Sequence, residues 1–520
     1  MVISVILPTL LATAVGALAQ VAPTTLSGNI VDGANLSAVI DRLREEAGIR
    51  GASVGVVYNG HSWAQGFGLK TINGTDKIDA GTLFMIGSLT KSFTSVGISQ
   101  IVSQGKHRWD QPVMPTLARL WDNPPAFYDP GTNANVTLLD ILSHQTGLAR
   151  HDLIFDPTLT RHPQEVLDRL KYYAPAAPLR DGGLHYSNQA YILAGALLGK
   201  FAESSWNDYI AKHILHPLRM KDTVTDYASY ASTPNRSDGK SSETDAADGF
   251  IDVAGRAGAI SSTADDMLKY VRELLKTLRR GGRGFGLSRR TLREFRHPHV
   301  KRAPAPGRNE FLNVTDPGYA LGLMTGQWNS EPYYGHSGAT NGFYSQMCML
   351  PNSDLGVVIL TNSGPSPCFL ERVCTYVFES VLTPKSPPAS SYTCKSDSPP
   401  PTQAPLPRPT FPARLPMSAY QGTYHSPGYG NLTLALPKGS DTLLLSVGQY
   451  HPLLETSVTP IGPDTFFVAL TELNATVAMK DNDEVLGIHL QLDGEMLKDC
   501  RDPFYGMGCA EWFAKVATHT

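Results

Sequence analysis

The sequence has no cysteine before residue 348, no repeat of fixed period and, beyond its first 19 residues, no run apolar enough to span a bilayer. It also lacks an excess of either charge, with 44 Lys and Arg against 47 Asp and Glu and a net charge of -3. Each absence narrows the possibilities. Balanced charge argues against nucleic acid or an anionic membrane surface as partner. The pairs His213/His216 and His297/His299 have no acidic or further histidine partner at ligand spacing, so no metal site is expected. No motif asks for a cofactor. The chain is 520 residues long, 42% hydrophobic and 18% charged, an ordinary soluble composition with length for a large core and two domains.

Residues 1–19 stand apart. They carry no charged side chain and end in Ala17-Leu18-Ala19, a small-x-small cleavage signal before Gln20. This reads as a secretory signal peptide, the alternative being a retained N-terminal anchor. Export agrees with the Asn-x-Ser/Thr acceptors at Asn35, Asn73, Asn135, Asn235, Asn313, Asn431 and Asn474. It agrees also with an even number of cysteines: Cys348, Cys368, Cys374, Cys394, Cys500 and Cys509. Their connectivity is not derivable from sequence; proximity alone points to Cys500–Cys509 and Cys368–Cys374. The expectation is a secreted, disulfide-bonded glycoprotein with no membrane partner once the signal is removed.

Helical spacing over 34–48 precedes a strand at 52–58, an Asn59-Gly60 turn and a returning strand at 61–68, a hairpin signal. A mostly helical middle follows. It includes a short amphipathic helix in 137–148 and a long helical pattern over 188–214. In the first of these, His144 is a catalytic candidate or, as favoured here, a buried or capping residue. Arg279, Arg280, Arg283, Arg289, Arg290, Arg293, Arg296, Lys301 and Arg302 form a basic run. It fits a solvated face better than a site for an acidic polysaccharide. Strands at 342–350 and 355–362 and a helix at 367–382 come next, so the two ends of this region can share one antiparallel sheet under terminal helices. A Pro/Ser-rich linker at 385–412 cannot build a core. Tyr420 to Val516 then alternates in short strands, as a small barrel does.

The stretch Gly87-Ser88-Leu89-Thr90-Lys91 follows the apolar run 83–86 and opens a helix ended by Gly105. Ser88 and Lys91 lie three apart, on one helical face. A serine hydroxyl needs a base to become a nucleophile, and a lysine is that base only when neutral. The pattern is short, however, and recurs as Ser103/Lys106 and Ser237/Lys240. Two downstream elements distinguish the first copy: Tyr186-Ser187-Asn188 after a Gly-rich loop, and His336-Ser337-Gly338 between strand-like segments. Tyr429-Gly430-Asn431 repeats Tyr-x-Asn in the C-terminal module without partners. Gly335-His336-Ser337-Gly338-Ala339 half-matches a nucleophile elbow but leads into strand, which excludes Ser337 as nucleophile.

Ser-x-x-Lys, Tyr-x-Asn and His-x-Gly in this order resemble the serine β-lactamase and penicillin-binding protein superfamily, in its class C-like branch with DD-peptidases, D-aminopeptidases and esterases. Segments 142–148, 216–223 and 257–267 are similar to further family elements. The resemblance covers about residues 30–384, and the last module more weakly resembles a lipocalin-like domain. It implies an α/β (α+β) β-lactamase/transpeptidase-like fold: an antiparallel sheet flanked by helices, a helical subdomain and a smaller C-terminal all-β barrel. The implied boundaries are signal 1–19, catalytic domain 20–384, linker 385–412 and β domain 413–520.

The resemblance further implies acyl transfer through Ser88, with Lys91 and Tyr186 sharing the proton work and Asn188 orienting substrate or Lys91. The backbone N–H groups of Ser88 and Ala339 would form an oxyanion hole, with Ser337 and Gly338 beside the substrate. His336 stands where related chains have a lysine that holds a substrate carboxylate, which favours an esterase or peptidase over a strong β-lactamase. The partner expected is a small molecule or short peptide carrying an ester, amide or lactam. An acyltransferase with the same acyl-enzyme and a non-catalytic binding protein are the competing readings.

Overall fold

A computed structural model describes residues 33–155, 159–239, 252–301, 312–340, 342–364, 367–383, 387–394, 412–447, 456–468, 473–479, 484–491 and 510–516. Residues 1–19, expected to be a signal peptide, most of the expected linker at 385–412, Lys240, Arg302, Cys500 and Cys509 lie outside the described residues.

Two distant parts of the chain build one sheet. The first hairpin supplies β1 (Gly51–Tyr58) and β2 (His61–Gly68). Its turn residues Asn59 and Gly60 have φ of 46° and 79°, the left-handed pair that a two-residue hairpin turn needs. Residues 84–85 and 261–262 (β3 and β4) pair with each other. The later segment supplies β5 (Val300–Lys301), β6 (Thr315–Tyr319), β7 (Met324–Trp328), β8 (Glu331–Thr340), β9 (Phe343–Leu350) and β10 (Leu355–Thr361). The order is β2-β1-β10-β9-β8-β7-β6-β5. Central β1 reads Ala-Ser-Val-Gly-Val-Val because both its faces are covered, and it pairs antiparallel with β10 from Ala52↔Thr361 to Tyr58↔Leu355.

On one face lie the terminal helices, Gly33–Glu46 and Pro367–Leu382. Leu36, Ile40 and Leu43 with Phe369, Val373 and Val377 bury Val54, Val56 and Ile359. On the other lies a helical layer that includes Thr90–Ser103, Asn188–Ala202 and Ala264–Leu278. The Thr90–Ser103 helix is buried on nearly all sides, so its hydroxyls need internal partners. Ser92 donates to the Leu89 carbonyl, Thr94 to the Arg256 carbonyl, and Ser95 meets the Tyr191 hydroxyl.

The helical pattern over 188–214 is not one helix. Asn188–Ala202 ends at Glu203, in the left-handed region at φ 53°, and Ser205 caps a new helix, Trp206–Ile210, that runs on into a wider turn, Ala211–Leu215. The apolar spacing continues across the break because both pieces pack into the same core, which is why the sequence pattern does not reveal it.

The last module is a closed eight-stranded barrel, β11 (Gly422–Ser426), β12 (Gly430–Ala435), β13 (Leu443–Val447), β14 (Thr456–Pro460), β15 (Thr465–Val468), β16 (Leu473–Met479), β17 (Val485–Gln491) and β18 (Ala510–Lys515). Its interior is lined by Tyr420, Leu434, Leu443, Leu445, Val458, Phe466, Val468 and Ile488.

The cysteines correct one expectation. The bridges are Cys348–Cys374 and Cys368–Cys394, not Cys368–Cys374. Cys368 and Cys374 sit on one helix six residues apart, about 9 Å along its axis and on different faces. Cys374 faces β9, and Cys368 faces the start of the Pro/Ser-rich stretch, where Tyr392 and Cys394 are buried. Of the asparagines in Asn-x-Ser/Thr motifs, Asn35, Asn73, Asn135, Asn313 and Asn431 are exposed. Asn235 is half-buried and donates to Asp79, and the Asn474 side chain lies outside the described residues. Among the described residues no helix is long and apolar enough to cross a membrane.

Peptide mapping under non-reducing conditions should recover the Cys348–Cys374 and Cys368–Cys394 linkages. Replacing both Cys348 and Cys374 by Ala should lower stability by about 2–4 kcal/mol, read as a lower denaturation midpoint. A linked Cys368–Cys374 peptide would contradict this arrangement.

Candidate active site

The apolar run 83–86 is pinned on both sides: β3 pairs with β4, and the Ile86 N–H donates to the Ile260 carbonyl at 3.0 Å. The chain then turns at Gly87, φ 50°, into a single 3-10 turn, Gly87–Leu89, before the Thr90–Ser103 helix. Ser88 sits half-buried in that turn and Lys91 one turn on, fully buried.

Lys91 Nζ has three close oxygen partners: Ser88 Oγ at 2.9 Å, Asn188 Oδ1 at 2.7 Å and the Ala257 carbonyl at 3.0 Å. It also lies 5.0 Å from the Tyr186 ring centre and 5.5 Å from that of Tyr191. Burial lowers its pKa to about 7; the Asp152 carboxylate opposes this and Arg150 adds to it. The geometry then fixes how a neutral amine must bond. It has two N–H groups and one lone pair. Asn188 Oδ1 and the Ala257 carbonyl can only accept, so they take the two hydrogens. The lone pair is left facing the one partner able to donate, the Ser88 hydroxyl.

Asn188 is held in its turn by Asp152, whose Oδ1 accepts from the Asn188 Nδ2 at 2.9 Å. Arg150 pairs with the other Asp152 oxygen at 2.7 Å, and its guanidinium stands 5.5 Å from the Tyr186 ring centre. The loop carrying Tyr186 is docked on the 140–147 segment. Arg180 grips Asp140 through two hydrogen bonds, His185 N–H donates to the His144 carbonyl, and Ser187 N–H donates to His144 Nδ1. Ser187 then caps the Asn188–Ala202 helix. His144 is buried, as favoured from sequence, with its ring 4.3 Å from that of Tyr186; burial holds its pKa well below the ordinary histidine value.

β8 closes the site. Gly338 is packed so tightly that an added Cβ would overlap the Ile86 carbonyl and the Ser345 hydroxyl and lie 3.1 Å from the Ser88 nitrogen. An added Cβ on Gly87 would lie 2.9 Å from the Ala339 nitrogen. Two glycines thus bring the backbones of 87–88 and 338–339 into direct apposition, while Ser345 ties β9 to the Ile86 carbonyl at 2.8 Å. Ser337 and Ala339 point to the exposed side of β8. His336 points inward and is buried: its Nε2 lies 3.0 Å from the Tyr319 hydroxyl, and its Nδ1–H donates to the Ser337 carbonyl at 2.6 Å.

The site therefore unites Ser88, Lys91, Tyr186, Asn188, His336 and the Gly338–Ala339 strand. The serines of the other Ser-x-x-Lys copies do not join it. Ser103 bonds Ser288 at a helix end, and Ser237 binds the Lys70 carbonyl and Asn362. Among the described residues no group of three possible metal ligands occurs.

A model of the beta-lactamase family matches residues 36–373. The chain belongs to that family. Within this serine β-lactamase and penicillin-binding protein superfamily it is 25% identical to a protein named unguisins hydrolase from Aspergillus campestris, over 88% of this chain and 87% of that one. By fold it is similar to an octameric penicillin-binding protein homologue from Pyrococcus abyssi, TM-score 0.56 and 18% identity, covering 89% of this chain and 97% of that one. It is also similar to D-amino acid amidase from Ochrobactrum anthropi, TM-score 0.54 and 22% identity, covering 67% and 98%.

Three contributors escaped the sequence reading of this beta-lactamase-family chain. The Ala257 carbonyl is a backbone group and leaves no side-chain signal. Asp152 and Arg150 follow the Thr146-Gly147-Leu148 turn, and no spacing connects them to Asn188.

Gly338→Ala should displace β8 from Ser88 and lower the rate of reaction at Ser88 about 100-fold. The far-UV circular dichroism should be retained. An unchanged rate would show that the close approach is dispensable. Asp152→Ala should reduce the same rate by about tenfold, since it frees the Asn188 amide to rotate.

Proposed function

We propose that this chain is a secreted serine hydrolase that cleaves an amide or ester carbonyl through a Ser88 acyl-enzyme. The observation that carries the reading is the set of three oxygens around Lys91 Nζ, of which Asn188 and Ala257 can only accept, so that in the neutral amine the lone pair is left for Ser88. Lys91 takes the Ser88 proton as Oγ attacks the carbonyl carbon. Negative charge on the carbonyl oxygen is met by the N–H groups of Ser88 and Ala339, each such donor contributing about 3 kcal/mol. The proton returns to the leaving amine or alcohol through Tyr186 and Lys91, and water then releases the acyl group by the reverse proton path. His336, buried and bonded to Tyr319 and the Ser337 carbonyl, offers no exposed cation to a substrate carboxylate. Hydrolysis agrees with the relative named unguisins hydrolase, and amides as substrates with the similarly folded D-amino acid amidase. Export is supported by the residue 1–19 signal, the two disulfides and the exposed glycosylation acceptors.

Incubation with a fluorophosphonate should add its mass to Ser88 in the wild type, and Ser88→Ala should abolish both labelling and turnover, a loss of at least about 10⁴-fold. Turnover of a substrate by Ser88→Ala at the wild-type rate would remove Ser88 from the mechanism. A panel of D-amino-acid amides, short esters and penicillins then ranks the acyl groups.

The pH profile follows from Lys91. Its base form is populated above a pKa of about 7. The acylation rate should therefore rise about tenfold per unit up to that pH and level off above it. A rate that instead falls through pH 7 would mean that the ammonium, not the amine, is the working form.

A further inference from the structure

A hairpin turn is normally the most exposed part of its hairpin. The turn between β11 and β12 departs from this: Pro427 is exposed, but Gly428 and Tyr429 are buried, Tyr429 to 1% exposure. What covers them is the catalytic domain. The Gly428 carbonyl accepts from the Tyr173 hydroxyl at 3.0 Å and from Arg169 at 3.4 Å. The Tyr429 hydroxyl lies 2.8 Å from His151 Nδ1, and the His151 ring stacks on Tyr173 at 4.3 Å. Buried apolar residues run without interruption from the helical layer into the barrel.

His151 is itself unusual. Its φ is 45°, a left-handed conformation that a non-glycine residue keeps only where its surroundings hold it. It is buried and neutral, its pKa pushed down to about 3 by burial, and its Nε2 has no hydrogen-bond partner among the described residues. The Tyr429 hydroxyl is thus the polar contact that its ring makes there. The residues on either side of His151 are the ion-paired Arg150, which stands over the Tyr186 ring, and Asp152, which holds the Asn188 amide. Gln189 fixes the same segment by donating to the carbonyls of Arg150 and His151.

We propose that the C-terminal barrel positions the acylation base. The buried turn, through Tyr429 and His151, holds Asp152 where it orients Asn188 and, through Asn188, Lys91. Tyr429 and His151 are positioning residues; neither needs to touch substrate. The direct contacts run Tyr429 to His151, one peptide unit to Asp152, 2.9 Å to Asn188, 2.7 Å to Lys91 and 2.9 Å to Ser88. The inference rests on the Ser88–Lys91 reading above.

The test measures the acylation rate constant and the non-covalent affinity for a fluorophosphonate separately, by intact mass of the full chain. Tyr429→Phe removes the hydroxyl and keeps the ring. It should slow acylation about five- to tenfold with affinity unchanged, and Tyr429→Ala should slow it further. Leu445→Ala, inside the barrel and away from the turn, serves as control. It should lower the thermal transition while acylation, measured below that transition, stays at the wild-type rate. Tyr429→Phe and Tyr429→Ala both acylating at the wild-type rate would overturn the inference. So would an equal slowing by Leu445→Ala, which would trace the effect to barrel stability. A wild type that takes no label at all would instead count against the underlying reading of Ser88.

Discussion

An amine in the interior of a protein is the constraint on which this structure turns. Burying Lys91 removes it from water and shifts it toward the neutral form. Neutrality alone would not make it a useful base, because a free amine can turn its lone pair in any direction. The two acceptors around it remove that freedom. Much of the helical layer serves to bring those acceptors in: the Asn188–Ala202 helix carries one, and the 255–257 turn carries the other. The hydroxyls of Thr90, Thr94 and Ser95 then keep the surrounding buried backbone and side chains satisfied.

The sheet supplies the second half of the site in a different way. A strand edge can present backbone N–H groups beside a nucleophile only if nothing bulky intervenes. Gly87 and Gly338 meet that requirement from opposite sides of the contact. Positioning by backbone apposition is stiff, since Gly338 and Ala339 are paired with Ser345 and Tyr344 on β9, and Ser345 ties that neighbour to Ile86. The flexible parts of the chemistry are thereby left to the substrate.

The fold and the principal side chains were legible because their signals are local. Asn59-Gly60 specifies a hairpin, and Ser88 to Lys91 is a single helical turn. Tyr186, Asn188 and His336 announce themselves by order along the chain. What escaped is non-local or carried by the main chain. Proximity in sequence misled for Cys368 and Cys374, because a helix separates residues that a loop would bring together. Apolar spacing hid the break at Glu203, since both helices face one core. Tyr429 was set aside as a chance match to Tyr-x-Asn, and nothing near it in sequence points to His151, 278 residues earlier.

The pairing of β1 with β10 joins Ala52 to Thr361, strands that lie 361 − 52 = 309 residues apart. At about 5–20 residues per second of synthesis, the first hairpin waits about 15–60 s for its central neighbour. Through that interval β1 exposes an apolar edge, and the turn bearing Ser88 has no strand to close against it. Assembly of the sheet is therefore a late event in the life of each new chain. Until then an unpaired strand edge stands as a template for pairing with another chain, so the order of synthesis sets how long each new copy is open to misassembly.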